Sequence, residues 1–200
     1  MNRLSQAGLP KQARRVEGVD EVVNSVASDG SIHLRLKQAT RLEHDRVDCA
    51  LSRFDLTDVD DYAAFLDINH AALTALRSHW RSVDEGGFAG LVHALATDLI
   101  ELGVEPTVQT EPLSDPIDGL GLSYVVRGSR LGSKILRKRV GSDMPTSYFD
   151  FRMRTPWARL LEHIDLRGPA GTADEQALIV GALSTFAVYA RLARPMDVAA

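Results

Sequence analysis

Hydrophobic residues recur at helical spacing along almost the whole chain, and no segment alternates in the way a half-buried strand does. Capping residues, glycines and prolines divide the pattern into about six helical segments. They run from 31 to about 54, from 57 past 76, from 86 to 102, from 116 to 141, from 155 to 164 and from 172 to just before 195. The pattern therefore predicts an all-α bundle.

The first thirty residues differ from the rest. They mix acidic and basic side chains with little periodicity, which is typical of a mobile N-terminal arm. We expect residues 31–195 to form a single helical domain.

The first predicted helix carries a histidine in its apolar stripe. Leu36, Thr40, His44, Val47 and Leu51 fall on one face at helical spacing. Such a histidine is most often a satisfied core residue, desolvated as its neutral form and in need of a partner at each ring nitrogen. Asp48, one turn further on, is the candidate acceptor for one of them.

The predicted helix over 116–141 contains four glycines, at 119, 121, 128 and 132. Because each weakens a helix, we expect interruptions and a bend. Gly128 and Gly132 lie four apart on one face, where their backbone can approach a flat or bulky group; close helix packing is the alternative explanation. The same predicted helix carries a run of basic residues, with no acidic residue between Tyr124 and Val140. They are Arg127, Arg130, Lys134, Arg137, Lys138 and Arg139.

Composition narrows the function classes. A formal net charge of −4 gives no overall attraction to nucleic acid, and Cys49, as the single cysteine, excludes an intrachain disulfide or a multi-cysteine metal site. No apolar run approaches membrane-spanning length, and the N-terminal sequence lacks the apolar segment of a signal peptide. These features predict a cytoplasmic protein that needs neither a membrane nor nucleic acid.

Two motifs together resemble the biliverdin-producing heme oxygenases of bacterial type. The first helix has Leu36-Lys37-x-Ala39-Thr40-x-x-x-His44, similar to the proximal helix of that family. The glycine-containing helix has Tyr124-x-x-x-Gly128-Ser129-x-Leu131-Gly132, similar to its distal helix. The resemblance departs at Ser133, where bacterial members commonly have a second glycine.

The resemblance implies an enzyme that cleaves heme to biliverdin, CO and Fe²⁺. His44 would ligate the iron, and heme b would be both cofactor and substrate, with O2 and an external reductant. The implied heme contacts are Lys37, Thr40 and Tyr124, with a third propionate anchor at Arg159 or Arg154, and biliverdin IXα as product. The implied catalytic wall is formed by Gly128, Ser129, Gly132 and Ser133.

The implied partners are an electron donor, such as a ferredoxin, flavodoxin or reductase, and a bilin acceptor. Part of the basic run is expected to face solvent and to steer an acidic donor. Two alternatives remain at this point: a heme sensor or carrier that does not turn over, and an all-α interaction protein that no longer binds heme.

Overall fold

The computed structural model describes residues 31–80, 85–109, 117–168 and 171–194. The predicted arm at 1–30 lies outside these ranges, and so do residues 110–116 of the proline-containing loop. Within them the chain forms helices and no strand, which confirms the all-α prediction. The helices are α1 (Ile32–Leu51), α2 (Val59–Ala75), α3 (Glu85–Glu101), α4 (Gly119–Arg137), α5 (Ser147–Asp150), α6 (Trp157–Asp165) and α7 (Ala173–Leu192), with a 3₁₀ turn at Arg77–His79.

Several helix ends lie where the capping residues predicted them. Asp58 caps α2 by accepting the backbone N–H groups of Asp60 and Asp61 at 3.0 Å. Thr172 accepts from the backbone of Glu175 at the start of α7. Gly103, with a φ of 76°, follows the end of α3 in the left-handed conformation that glycine tolerates best. Local chemistry is therefore sufficient to set these boundaries.

The start of α1 is set by a distant residue instead. Ser31 occupies the N-cap position, but its side chain makes no capping hydrogen bond. The Asp165 carboxylate, at the end of α6, accepts the backbone N–H of His33 at 3.0 Å and lies 2.7 Å from its Nδ1. The negative carboxylate also suits the positive end of the helix dipole. The helix that carries His44 is thus anchored by tertiary contact.

Helix α4 runs without a break from Gly119 to Arg137, so the predicted interruptions are wrong and the helix ends before Gly141. Asp118 caps it by accepting the N–H groups of Leu120 and Gly121 at 2.9 and 3.0 Å. Its first interior glycine serves close packing: Gly121 lies against the α7 backbone, and Gly181 of α7 lies against the backbone of Asp118. A side chain on either glycine would collide with the opposite helix.

Helix α7 lies at the centre of this arrangement because it packs against α1, α2 and α4. One apolar core joins these helices; its large, fully buried side chains include Leu36, Leu66 and Leu122. No helix in the described part of the chain is long and apolar enough to cross a membrane.

Helix α5, a single turn absent from the sequence prediction, is held by a buried carboxylate. Asp98 of α3 is fully buried and accepts the backbone N–H groups of Ser147 and Tyr148, each at 2.8 Å. The two N–H groups satisfy the carboxylate oxygens and hold the turn in contact with α4. Tyr148 is thereby placed where the basic side chains of α4 reach it.

Candidate functional site

His44 lies on the inner side of α1 but is not buried. Its side chain is 55% exposed, whereas Leu36, Thr40 and Val47 of the same stripe are buried. The edge of its ring packs against Phe186 of α7, with ring centroids 5.9 Å apart and planes at 75°. The expectation of a desolvated core histidine is therefore wrong: the imidazole is held on one side and open on the other.

An acidic residue stands near one ring nitrogen, as predicted. The Nδ1 atom of His44 lies 3.4 Å from Oδ2 of Asp48 and 3.8 Å from Oδ1 of Asp45. A carboxylate on this side favours a proton on Nδ1 and leaves the Nε2 lone pair for another partner. The imidazole thus has acidic groups near Nδ1 and an exposed side elsewhere.

Tyr124 of α4 lies near Thr40 of α1. Burial raises the pKa of Tyr124, and the Thr40 side chain opposes the rise. The Thr40 hydroxyl donates to the backbone carbonyl of Leu36 at 2.8 Å. One residue of each sequence motif therefore lies near one residue of the other.

The next residues of each motif lie one helical turn further along their own helices. His44 follows Thr40 by four residues and Gly128 follows Tyr124 by four, so each lies about 6 Å further along its own helix axis. The Tyr124 ring lies 5.5 Å from that of Trp157 on α6. A Cβ on Gly128 would make an ordinary 3.5 Å contact with the same indole.

Beyond Gly128 the same face of α4 is open. Gly132 is exposed, and a Cβ built on it would meet no atom within 4 Å. Leu131 and Ile135, on this face by helical spacing, are 57% and 70% exposed. We call the surface formed by Tyr124, Gly128, Leu131, Gly132 and Ile135 the glycine face. It is apolar, it has two positions without side chains, and it begins at the contact with α1.

The two serines of the predicted catalytic wall both form hydrogen bonds with the backbone of their own helix. The Ser129 hydroxyl donates to the carbonyl of Val126 at 2.8 Å, and that of Ser133 donates to the carbonyl of Arg130 at 2.7 Å. Ser133 is buried on another flank of α4, about 100° around the helix from Gly132. The structure brings neither hydroxyl to the glycine face, so the expected effect of Ser133 on that wall is not supported.

The predicted basic anchors are both at the surface. Lys37 is exposed on α1, almost two turns before His44. Arg159 is exposed on α6 and forms a 3.1 Å ion pair with Glu162 of its own helix. The roles of Lys37 and Arg159 as anchors remain predictions.

The basic run of α4 divides into an inner and an outer part. Lys134, Lys138 and Arg139 are exposed, as expected of a solvent-facing surface, and Arg137 lies 3.6 Å from Asp150. Arg127, by contrast, is buried and donates to the carbonyl of Thr155.

Arg130 is the second inner arginine. It stacks on Tyr148, with Cζ 4.4 Å from the ring centroid, and donates to the Tyr148 carbonyl at 2.6 Å. Both inner arginines, together with Ser133, line a cavity of about 170 Å³ between α4 and the segment 151–157. We call it the cationic cavity; no sequence pattern indicated it.

Within the described ranges no group of three or more histidine, cysteine, aspartate or glutamate side chains is arranged to hold a metal ion. A metal at His44 would therefore need its other ligands from outside the protein, as the planar nitrogen ligand of a macrocycle provides. The open side of His44 and the apolar glycine face fit such a flat group.

Comparison with known proteins identifies the fold. Neither a protein-family model nor a curated relative matches the sequence. Among solved structures, the NO- and CO-bound heme oxygenase from Neisseria meningitidis is similar, with a TM-score of 0.68 and 22% sequence identity over 84% of this chain and 94% of that one. The chain has the heme oxygenase fold.

Proposed function

We propose that this protein is a heme oxygenase that binds heme between α1 and the glycine face of α4 and cleaves it to biliverdin, CO and Fe²⁺. The observation that carries the proposal is the His44 imidazole, which is 55% exposed, packs against Phe186 on one side and lies 3.4 Å from the Asp48 carboxylate through Nδ1. The similar fold of the Neisseria heme oxygenase supports it.

His44 would hold the iron through Nε2, with the Asp48 carboxylate keeping the proton on Nδ1 and making the imidazole a stronger donor. Phe186 fixes the ring from behind. When bound, heme supplies both the iron that activates O2 and the ring that is cleaved. The side chains of the protein would then hold the heme and orient it.

The glycine face would receive the other side of the disc. A larger residue at Gly132 would occupy the space next to the iron, whereas glycine leaves room for O2 and exposes backbone dipoles to it. Exposed Leu131 and Ile135 would be buried by the macrocycle. Their burial contributes about 25 cal/mol for each Å² of apolar surface removed from water.

Lys37 and Tyr124 would position the propionate edge, which decides which carbon bridge of the ring faces the oxidant. They lie on two different helices, so they can hold that edge from both sides and favour one product, biliverdin IXα. The exposed basic residues Lys134, Lys138 and Arg139 provide a surface for an acidic electron donor such as a ferredoxin or flavodoxin.

The test is a heme titration followed by a single turnover with ascorbate and O2. We expect stoichiometric binding, loss of the Soret band, appearance of bilin absorption and one dominant bilin isomer on chromatography. Binding without bilin formation would instead identify a heme sensor or carrier, and failure to bind would leave an interaction protein with this fold.

A histidine variant tests the ligand assignment. His44→Ala should weaken heme binding at least tenfold, and added imidazole should restore part of the spectrum because it can enter the space left by the side chain. His93→Ala is the matched control, since His93 is exposed on α3. Unchanged iron coordination in His44→Ala, measured by resonance Raman, would contradict the assignment.

A further inference from the structure

The two helices assigned to the heme site make little direct contact with each other. Helix α1 carries His44 and α4 carries the glycine face, and each of them packs against α6 and α7. Contact between α1 and α4 themselves is slight in the part of the chain that the structure describes, where Tyr124 lies near Thr40. The separation of α1 and α4 is therefore set by the helices that join them.

The C-terminal end of α6 contacts the N-terminal ends of both helices. Asp165, its last residue, accepts the backbone N–H of His33 at 3.0 Å and lies 2.7 Å from Nδ1 of the same residue. Arg167, two residues later, donates from Nη2 to Oδ2 of Asp118, the residue that caps α4. We call Asp165 and Arg167, with their partners His33 and Asp118, the α6 clamp.

The geometry of the α6 clamp is well defined because both carboxylates use both of their oxygens. Asp165 contacts the backbone of His33 with one oxygen and its ring with the other. Asp118 accepts two backbone N–H groups of α4 through Oδ1 and the Arg167 guanidinium through Oδ2. All four side chains are mostly buried. Exposed ion pairs contribute little, whereas charge-assisted hydrogen bonds shielded from water hold a fixed geometry.

The heme site lies further along both helices. His44 follows His33 by eleven residues and Gly132 follows Asp118 by fourteen. At 1.5 Å per residue, these distances along the helix axes are about 16 and 21 Å. A change of about 5° in the angle between the helices at the clamp would therefore move the far ends by about 2 Å, and displacements of this size are enough to disturb a positioned reactant.

We propose that the α6 clamp sets the separation of α1 and α4, and that Asp165 and Arg167 are positioning residues for the site between these helices. The inference rests on the proposed function in taking heme as the occupant of that site. Asp165 and Arg167 act by fixing the helices that carry His44 and the glycine face.

The separation is measured on the apoprotein with two spin labels. Cys49, exposed on α1, takes one label, and Lys134→Cys on α4 takes the other. We expect a narrow distribution of label distances in this parent. Asp165→Asn and Arg167→Gln, introduced into it separately, should broaden the distribution by about 2 Å, because each keeps a polar side chain but loses the charge that its partner needs.

Three further variants make the comparison specific. Glu162→Gln is the matched control, since Glu162 is on the same helix and its exposed carboxylate pairs with Arg159 of α6 instead. Asp118→Asn breaks the contact to Arg167 while keeping a residue that caps helices well, so α4 retains its start. Arg167→Lys keeps a cation beside Asp118 and should restore most of the narrow distribution.

Heme titration of the unlabelled variants, with Cys49 and Lys134 unchanged, tests the effect on the site. Asp165→Asn and Arg167→Gln should bind heme at least fivefold more weakly than the parent, and Glu162→Gln should bind it equally well. Unchanged distance distributions in the clamp variants, equal broadening in Glu162→Gln, or broadening with parental heme affinity would overturn the proposal. A parent that binds no heme would contradict the proposed function, whereas the label distances in the apoprotein would still support or overturn the α6 clamp.

Discussion

Replacing Gly132 by alanine should make the protein more stable and less able to use heme. Glycine costs about 1 kcal/mol relative to alanine inside a helix. At Gly132 nothing offsets this gain, because the added Cβ meets no atom within 4 Å. The apoprotein should therefore gain about 1 kcal/mol in free energy of unfolding, or about 2–4 °C in Tm for a chain of this size.

The heme complex should respond in the opposite direction. The new methyl group would stand on the open part of the glycine face, in the space assigned to the ligand side of the iron. We expect heme affinity or single-turnover rate to fall by about tenfold, equivalent to about 1.4 kcal/mol. Stability is measured by urea unfolding of the apoprotein, and binding and turnover by the Soret and bilin absorption.

Gly181→Ala is the matched control, with the same substitution in the interior of another helix. Its Cβ would lie 2.7 Å from the backbone nitrogen of Asp118 and 2.9 Å from its Cβ. Overpacking against a neighbouring backbone should exceed the helix gain and leave a net loss of about 2 kcal/mol. If Gly132→Ala destabilises the protein, the position is not open as described. If the variant is more stable and heme turnover is normal, the glycine face does not have the proposed role in heme binding.

Two further predictions follow from the charged groups. Hydrogen bonds from Arg35 and from the Gly171 backbone lower the pKa of buried Glu175 below its ordinary value of 4.5. The ionised Glu175 carboxylate therefore stabilises the folded protein above pH 4.5, and this stabilisation is lost as the pH falls through the lowered pKa. Unfolding curves between pH 6 and about 3 should show this loss, and Glu175→Gln should flatten it; an unchanged slope would contradict the assignment. A ferredoxin-driven turnover rate should fall as salt shortens the Debye length below about 10 Å, and Lys138→Glu with Arg139→Glu should reduce both rate and salt dependence. A turnover rate that changes neither with salt nor in the double variant would contradict the proposed docking surface.

The helix bounds show which part of the fold is encoded locally. Gly103 and Thr172 mark helix ends where the sequence predicts them, whereas the second predicted helix starts at 57 and the structure caps it one residue later, at Asp58. Helix α5 was not predictable, because it depends on the buried Asp98 carboxylate 49 residues earlier in the chain. The cap of α1 is similar: Asp165 lies 132 residues from His33.

The site divides in the same way. Helical periodicity was enough to place Gly128 and Gly132 on one face and to separate Ser133 from it, although the family motif joined all three. The exposure of His44 depends on how α7 packs against α1, which periodicity does not report. The inward orientation of Arg130 depends on carbonyl groups of the segment around Tyr148, so it appears only in the folded chain.

The anchoring of α1 has a consequence for the order in which the protein is made. Its contacts to Asp165, Glu175 and Phe186 all reach residues more than 130 positions later in the chain. At a synthesis rate of about 5–20 residues per second, the ribosome needs on the order of ten seconds to produce them after α1 has emerged. During that interval α1 lacks its docking partners, so the side of the His44 ring that Phe186 covers in the folded protein is still open.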